Sequence, residues 1–136
     1  MNAHTHDHPE LTRNQALVLD VLSHAKLPLS AYAILDNLRD EGLRAPAQIY
    51  RALDTLLAYR QVHKIESLNA FVACNHSHCD RKAEAAFAIC EGCGSVTEFA
   101  DDALTKSIAK AAQSDGFTIQ TSAIELRGMC SDCSNQ

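Results

Sequence analysis

Pro46-Ala47-Gln48-Ile49-Tyr50-Arg51-Ala52-Leu53-Asp54-Thr55-Leu56-Leu57, followed by Val62-His63-Lys64-Ile65-Glu66 and Ala70-Phe71-Val72-Ala73-Cys74, is the stretch that decides the fold. Ile49, Leu53, Leu56 and Leu57 recur at helical spacing, and Pro46 opens the helix, where its missing N–H does no harm. The two segments after it read as short strands with a turn at Ser67-Leu68-Asn69, which predicts a hairpin. Upstream, Ser30 is a good N-cap for a helix whose buried stripe is Ile34, Leu35 and Leu38, with Gly42 as its stop. Before that, Thr12-x-x-Gln15 has the form of a capping box. Leu17, Val18, Val21 and Leu22 then repeat at helical spacing, and Lys26-Leu27-Pro28 ends the run. Three short helices and a hairpin are the order of a winged helix-turn-helix, in which the third helix enters the major groove of DNA.

The polar side of that third helix carries Ala47, Gln48, Arg51, Asp54 and Thr55. Arg51 is the first candidate for DNA readout, because a guanidinium grips guanine O6 and N7 in a bidentate way. Gln48 and Thr55 are expected on the same side. On pattern alone, Arg51 is as readily a solvated side chain on an ordinary helical bundle.

The second half is organised by Cys90-Glu91-Gly92-Cys93-Gly94 and Cys130-Ser131-Asp132-Cys133. Two Cys-x-x-Cys pairs can supply four thiolates to one tetrahedral zinc, a structural site. The alternative is a pair of disulfides or idle thiols. Gly92, Gly94 and Gly128 are expected to let the backbone fold round the metal at positive φ. Short strands are expected at Ala86-Phe87-Ala88-Ile89 and Val96-Thr97-Glu98-Phe99. A helix capped by Asp101 or Asp102 should carry Leu104, Ile108, Ala111 and Ala112 on one side and end at Gly116. A long strand is expected from Phe117 to Arg127, with a bulge near Ala123-Ile124. Strands and zinc turns beside one helix make too small a core to stand alone, which predicts a homodimer.

The bulk numbers set limits. At 136 residues the chain is one domain or two small ones. No apolar run is long enough for a membrane span, and the first ten residues do not resemble a signal peptide. A cytoplasmic location is expected, where cysteine pairs more often bind metal than form disulfides. The formal charge of −5 is uneven: residues 1–73 hold seven basic and eight acidic side chains, residues 74–136 five and nine. A near-neutral first half can still present a basic face to phosphates. The His4-Thr5-His6-Asp7-His8 segment reads as a solvated tail that could hold a metal weakly. A zinc deaminase would need His-x-Glu and Pro-Cys-x-x-Cys. Neither occurs, so an enzyme is not expected, nor any small-molecule substrate other than zinc. A zinc-ribbon interaction module without a DNA role is a further alternative.

Ser30-Ala31-Tyr32, Gln48-Ile49-Tyr50-Arg51-Ala52-Leu53-Asp54, Val62-His63-Lys64-Ile65-Glu66-Ser67, Cys90-x-x-Cys93-Gly94 and Cys130-x-x-Cys133 together resemble the ferric uptake regulator family, most of all its zinc-sensing branch. The likeness runs from about residue 11 to 133. It implies an α+β chain: a flexible tail over 1–10, a winged-helix DNA-binding domain over 11–74, a hinge and metal-binding loop over 75–85, and an α/β dimerisation domain over 86–136. It implies a zinc-loaded dimer that binds palindromic operator DNA and represses zinc-uptake genes. Arg51 and Tyr32 match residues that meet DNA in relatives, and Tyr50 either contacts a phosphate or packs under the helix. An iron- or peroxide-sensing member of the same family is the alternative.

A four-thiolate site has no open position, so sensing needs a second, more mobile one. The junction offers His63, Cys74, His76, His78, Cys79 and Glu98. His63, Cys74 and Glu98 match the family's regulatory ligands in position. The resemblance also calls for a histidine shortly before Cys90, and Ala83-Glu84-Ala85-Ala86-Phe87 has none. Cys79 is the first replacement, His78 the second and His76 a spare, with water as the remaining option. Cys74 favours zinc over iron, because soft thiolate selects it. One structural and one regulatory zinc, about two per chain, are therefore expected. No third site is expected, because Thr121 and Ser122 stand where it would want a histidine.

Overall fold

The computed structural model describes residues 10–74 and 85–135. The chain divides into two compact units, Met1–Cys74 and Asn75–Gln136. The expected N-terminal tail and the loop donors His76, His78 and Cys79 lie outside the described residues, apart from Glu10.

In the first unit, α1 (Arg13–His24), α2 (Ala31–Leu38) and α3 (Pro46–Ala58) precede a hairpin of β1 (Val62–Ile65) and β2 (Ala70–Ala73). The caps form where the sequence puts them. Thr12 Oγ1 accepts from the Gln15 N–H at 3.3 Å, and Gln15 Oε1 accepts from the Thr12 N–H at 3.0 Å. Ser30 Oγ accepts from the Ala33 N–H at 3.1 Å. Such caps satisfy donors that the helix leaves open at its start. α2 stops at Leu38, earlier than Gly42; a tight turn over Arg39–Glu41 intervenes, and Gly42 then takes φ 91°.

Val18, Ile34, Ile49, Leu53, Leu56 and Val62 are buried in one aliphatic cluster with Phe71. The hairpin pairs Val62 with Ala73 and Ile65 with Ala70, and Asn69 turns at φ 47°. One link escapes sequence patterning. Leu29, between α1 and α2, exchanges two backbone hydrogen bonds with Phe71 at 2.8 and 3.0 Å, tying the hairpin to the helices.

The second unit holds β3 (Ala85–Cys90), β4 (Val96–Ala100), α4 (Asp102–Ser114), β5 (Ile124–Gly128) and a short α5 (Ser131–Ser134). The sheet order is β4-β3-β5, with β3 antiparallel to β4 and parallel to β5. α4 lies in the crossover that a parallel pair requires. Asp101 caps it, accepting from the Ala103 N–H at 2.8 Å. None of its residues is buried: Leu104, Ile108 and Ala112 are half-buried and Ala111 is exposed. The long strand expected from Phe117 is shorter: pairing starts at Ile124, with no bulge before it. Phe117, Ile119 and Thr121 alternate as a strand would, but β5 reaches β3 only from Ile124 onward. Among the described residues, no helix is long and apolar enough to cross a membrane.

Candidate metal centre and nucleic-acid surface

The parallel register builds the four-sulfur cluster. Cys90 ends β3 opposite Gly128, which ends β5, so the two Cys-x-x-Cys turns leave the sheet side by side. The Glu91 N–H donates to the Gly128 carbonyl at 2.8 Å and fastens the turns together. The four sulfurs lie within 4.8 Å of one another, and Cys93 and Cys130 Sγ are 3.9 Å apart. A tetrahedron with metal–sulfur bonds of about 2.3 Å needs about 3.8 Å between sulfurs, so the cluster fits zinc. All four thiols are free, which removes the disulfide alternative for these pairs.

The electrostatics favour a cation. The backbone N–H groups of Gly92, Cys93 and Cys130 point at Cys90 Sγ from 3.3, 3.5 and 3.3 Å. Those of Cys130 and Cys93 do most to lower the Cys90 pKa to about 6. The Ser95 hydroxyl, 3.1 Å from Cys93 Sγ, and the Ser95 backbone lower that thiol too. The neighbouring Cys130 and Cys90 sulfurs push Cys133 up to about 12. Negative charge can be placed on part of the cluster, but full ionisation of so tight a group calls for a bound cation.

The glycines act differently from expectation. Only Gly94 of the three takes positive φ, at 78°. Gly92 is needed for space: a Cβ there would lie 2.9 Å from Cys133 Sγ. A Cβ on Gly128 would meet nothing within 4 Å.

In the first unit, β1 carries His63, and Cys74 follows β2, where its N–H donates to the Gln61 carbonyl at 2.9 Å. The ligand atoms of His63 and Cys74 lie within 4.8 Å of each other. Cys74 is joined in a disulfide, so it ligates metal only once reduced. Glu98 sits on β4, opposite Phe87 on β3.

The exposed face of α3 consists of Ala47, Tyr50, Arg51, Asp54 and Ala58. Arg51 is on it as expected. Tyr50 is 40% exposed and does not pack under the helix; Tyr32, on α2, is 63% exposed. Gln48 and Thr55 stand on the flank, half-buried. Gln48 also has a local task, because its Oε1 accepts from the N–H groups of Arg44 and Ala45 at 3.0 and 3.2 Å. Ala45 has no side-chain acceptor, so Gln48 caps this helix start alone. Its oxygen is thereby occupied, and only its amide nitrogen remains to meet a base.

Comparison with known proteins follows the same lines. Residues 9–127 match the ferric uptake regulator family. The zinc uptake regulation protein of Escherichia coli K12 is 36% identical over 124 residues, covering 90% of this chain and 72% of that one. A ferric uptake regulation protein of Neisseria meningitidis serogroup B is 30% identical over 132 residues, covering 91% and 85%. Among solved structures, holo XcZur has a TM-score of 0.85 at 38% identity, covering 93% of this chain and 88% of that one. A zinc uptake regulator complexed with zinc and DNA has a TM-score of 0.85 at 35% identity, covering 93% and 84%. The cysteine cluster, the three-helix wing unit and these matches agree: this chain belongs to the ferric uptake regulator family and is similar to its zinc uptake regulators.

Proposed function

We propose that this chain is a zinc-responsive transcriptional repressor that acts as a homodimer on palindromic operator DNA and turns off zinc-uptake genes. The observation that carries this is the α3 face, where Arg51 is exposed and has no ion pair among the described residues, in a unit whose wing also holds His63 and Cys74 within 4.8 Å. Arg51 reads a purine in the major groove, and Tyr32 and Tyr50 meet the DNA beside it. Gln48 and Thr55 contribute from the flank.

Zinc, when bound, supplies a positive centre that fixes its ligands in one arrangement. Cys90, Cys93, Cys130 and Cys133 hold the structural ion and fasten the second unit. His63, reduced Cys74 and Glu98, completed by Cys79 or His78, form the regulatory ligand set. Its S/N/O mixture suits zinc, and filling it favours the DNA-competent state. Dimerisation is supported by the second unit, which leaves Phe117 65% and Leu126 52% exposed and buries no residue of α4.

The test is operator binding by the purified, reduced protein against buffered free zinc and free iron, with metal counted per chain before and after mild chelation. Zinc-dependent binding, with one removable and one retained zinc, is expected. Tight binding with iron and none with zinc would instead make this an iron sensor.

A further inference from the structure

The basic side chains of the first unit sort by partner. Arg13 Nη2 is 3.3 Å from Glu41 Oε2, Arg39 Nε is 3.0 Å from Asp36 Oδ1, and Lys64 Nζ is 3.4 Å from Glu66 Oε2. Lys26, Arg44, Arg51 and Arg60 have no ion pair among the described residues. Lys26 follows α1, and Arg60 follows the far end of α3. Arg44 and Arg51 belong to the first half of α3 and its approach, and both are exposed.

Arg44 differs from an ordinary surface arginine in how its backbone is held. Its N–H donates to Gln48 Oε1 at 3.0 Å. The residue before it, Leu43, is 1% exposed and packs in the core. Two residues on, Pro46 fixes the chain as α3 begins. An anchored backbone thus presents an exposed guanidinium just outside the helix. Side chains within the first turns of a recognition helix reach base edges, while one leaving the loop before them comes out at the rim of the groove, where phosphates run.

We propose that Arg44 is a phosphate anchor that sets the register of α3 on DNA, a residue of the DNA interface distinct in kind from the base-reading Arg51. This rests on the repressor function proposed above. An anchor contributes to binding on any sequence and releases counterions, so it appears in the salt dependence.

The experiment uses the full-length, zinc-loaded chain and two duplexes: one selected by that chain from a randomised library, and a shuffled version of it. Arg44→Ala should weaken both by the same several-fold factor and lower the slope of log affinity against log salt by about 1. Arg44→Lys should restore most of the affinity. Lys26→Ala removes the same charge away from α3 and should change neither duplex. Arg44→Ala behaving like Lys26→Ala would overturn the proposal, as would loss confined to the selected duplex. If the unaltered chain binds neither duplex with zinc, the repressor function itself fails and the anchor fails with it.

Discussion

Gly92 lies against the sulfur of Cys133: a Cβ added to Gly92 would stand 2.9 Å from that Sγ and 3.1 Å from the Cys133 Cβ. The Met129 methyl, also at 2.9 Å, can swing aside, but a metal-bound sulfur cannot move without opening its tetrahedron. Gly92→Ala should therefore loosen the structural centre, at a cost of about 1–3 kcal/mol typical of overpacking. Gly128→Ala, with open space around it, should be nearly silent. Zinc retention against a graded chelator and the melting temperature would check the pair; equal behaviour of the two variants would remove the steric argument.

A second expectation concerns the start of α3. Gln48 Oε1 accepts from two backbone N–H groups, of Arg44 and Ala45. Gln48→Ala should thus destabilise the metal-loaded chain by about 1 kcal/mol, the usual value of a lost cap. Gln48→Glu keeps an acceptor and should retain most of that stability. Urea denaturation followed by circular dichroism would measure both. If Gln48→Ala alters DNA affinity while leaving stability unchanged, base contact and not capping is its task.

The limits of sequence patterning are visible at particular residues. Thr12, Ser30 and Pro46 mark helix starts because capping is local chemistry between residues a few positions apart. The cysteine cluster was legible from spacing, but its assembly was not. It depends on Cys90 and Gly128 standing opposite each other in parallel strands, a pairing across 38 residues that no local pattern encodes. The Leu29–Phe71 bridge escaped for the same reason. Phe117 to Ala123 alternates like a strand without forming one, because alternation measures amphipathicity, whereas a strand also needs a neighbour to bond. The reason for Gly92 is space and not turn conformation, and that space depends on Met129 and Cys133, which are distant in sequence.

Zinc binding at the four-cysteine centre, the first equivalent taken up by the metal-free protein, should displace fewer than four protons at pH 7.5. Cys90 titrates at about 6, so at that pH its proton is already gone; Cys133, pushed up to about 12, still carries one. The folded-state Cys90 pKa is lowered, so its ionised form prevails above about 6 and is lost as pH falls through that value. Proton release should accordingly rise as binding is measured at lower pH, and zinc affinity should fall. Calorimetry in buffers of different ionisation enthalpy counts these protons. Release of four at pH 7.5 would mean that the N–H groups of Cys130, Cys93 and Gly92 do not hold the Cys90 thiolate.

The division of labour between the sites can be tested by serine and alanine variants. Cys90 ends β3 and receives three N–H groups, so Cys90→Ser removes a ligand and the charge those donors are arranged around. Because binding of a structural metal is folding free energy, this variant should lose the structural zinc, melt lower and fail to dimerise. His63 and Cys74 lie at the wing, in a unit with its own aliphatic core of Val18, Ile34, Ile49 and Leu56. His63→Ala and Cys74→Ser should leave that core intact, keep the structural zinc and the dimer, and abolish zinc-dependent DNA binding. Cys74→Ser also removes the disulfide, so it should make the chain insensitive to reductant, whereas the unaltered chain should need reductant to respond. Metal analysis, light scattering and DNA binding across a zinc titration separate these outcomes. A Cys74→Ser chain that responds normally to zinc would place the regulatory ligands elsewhere, whatever becomes of Cys90.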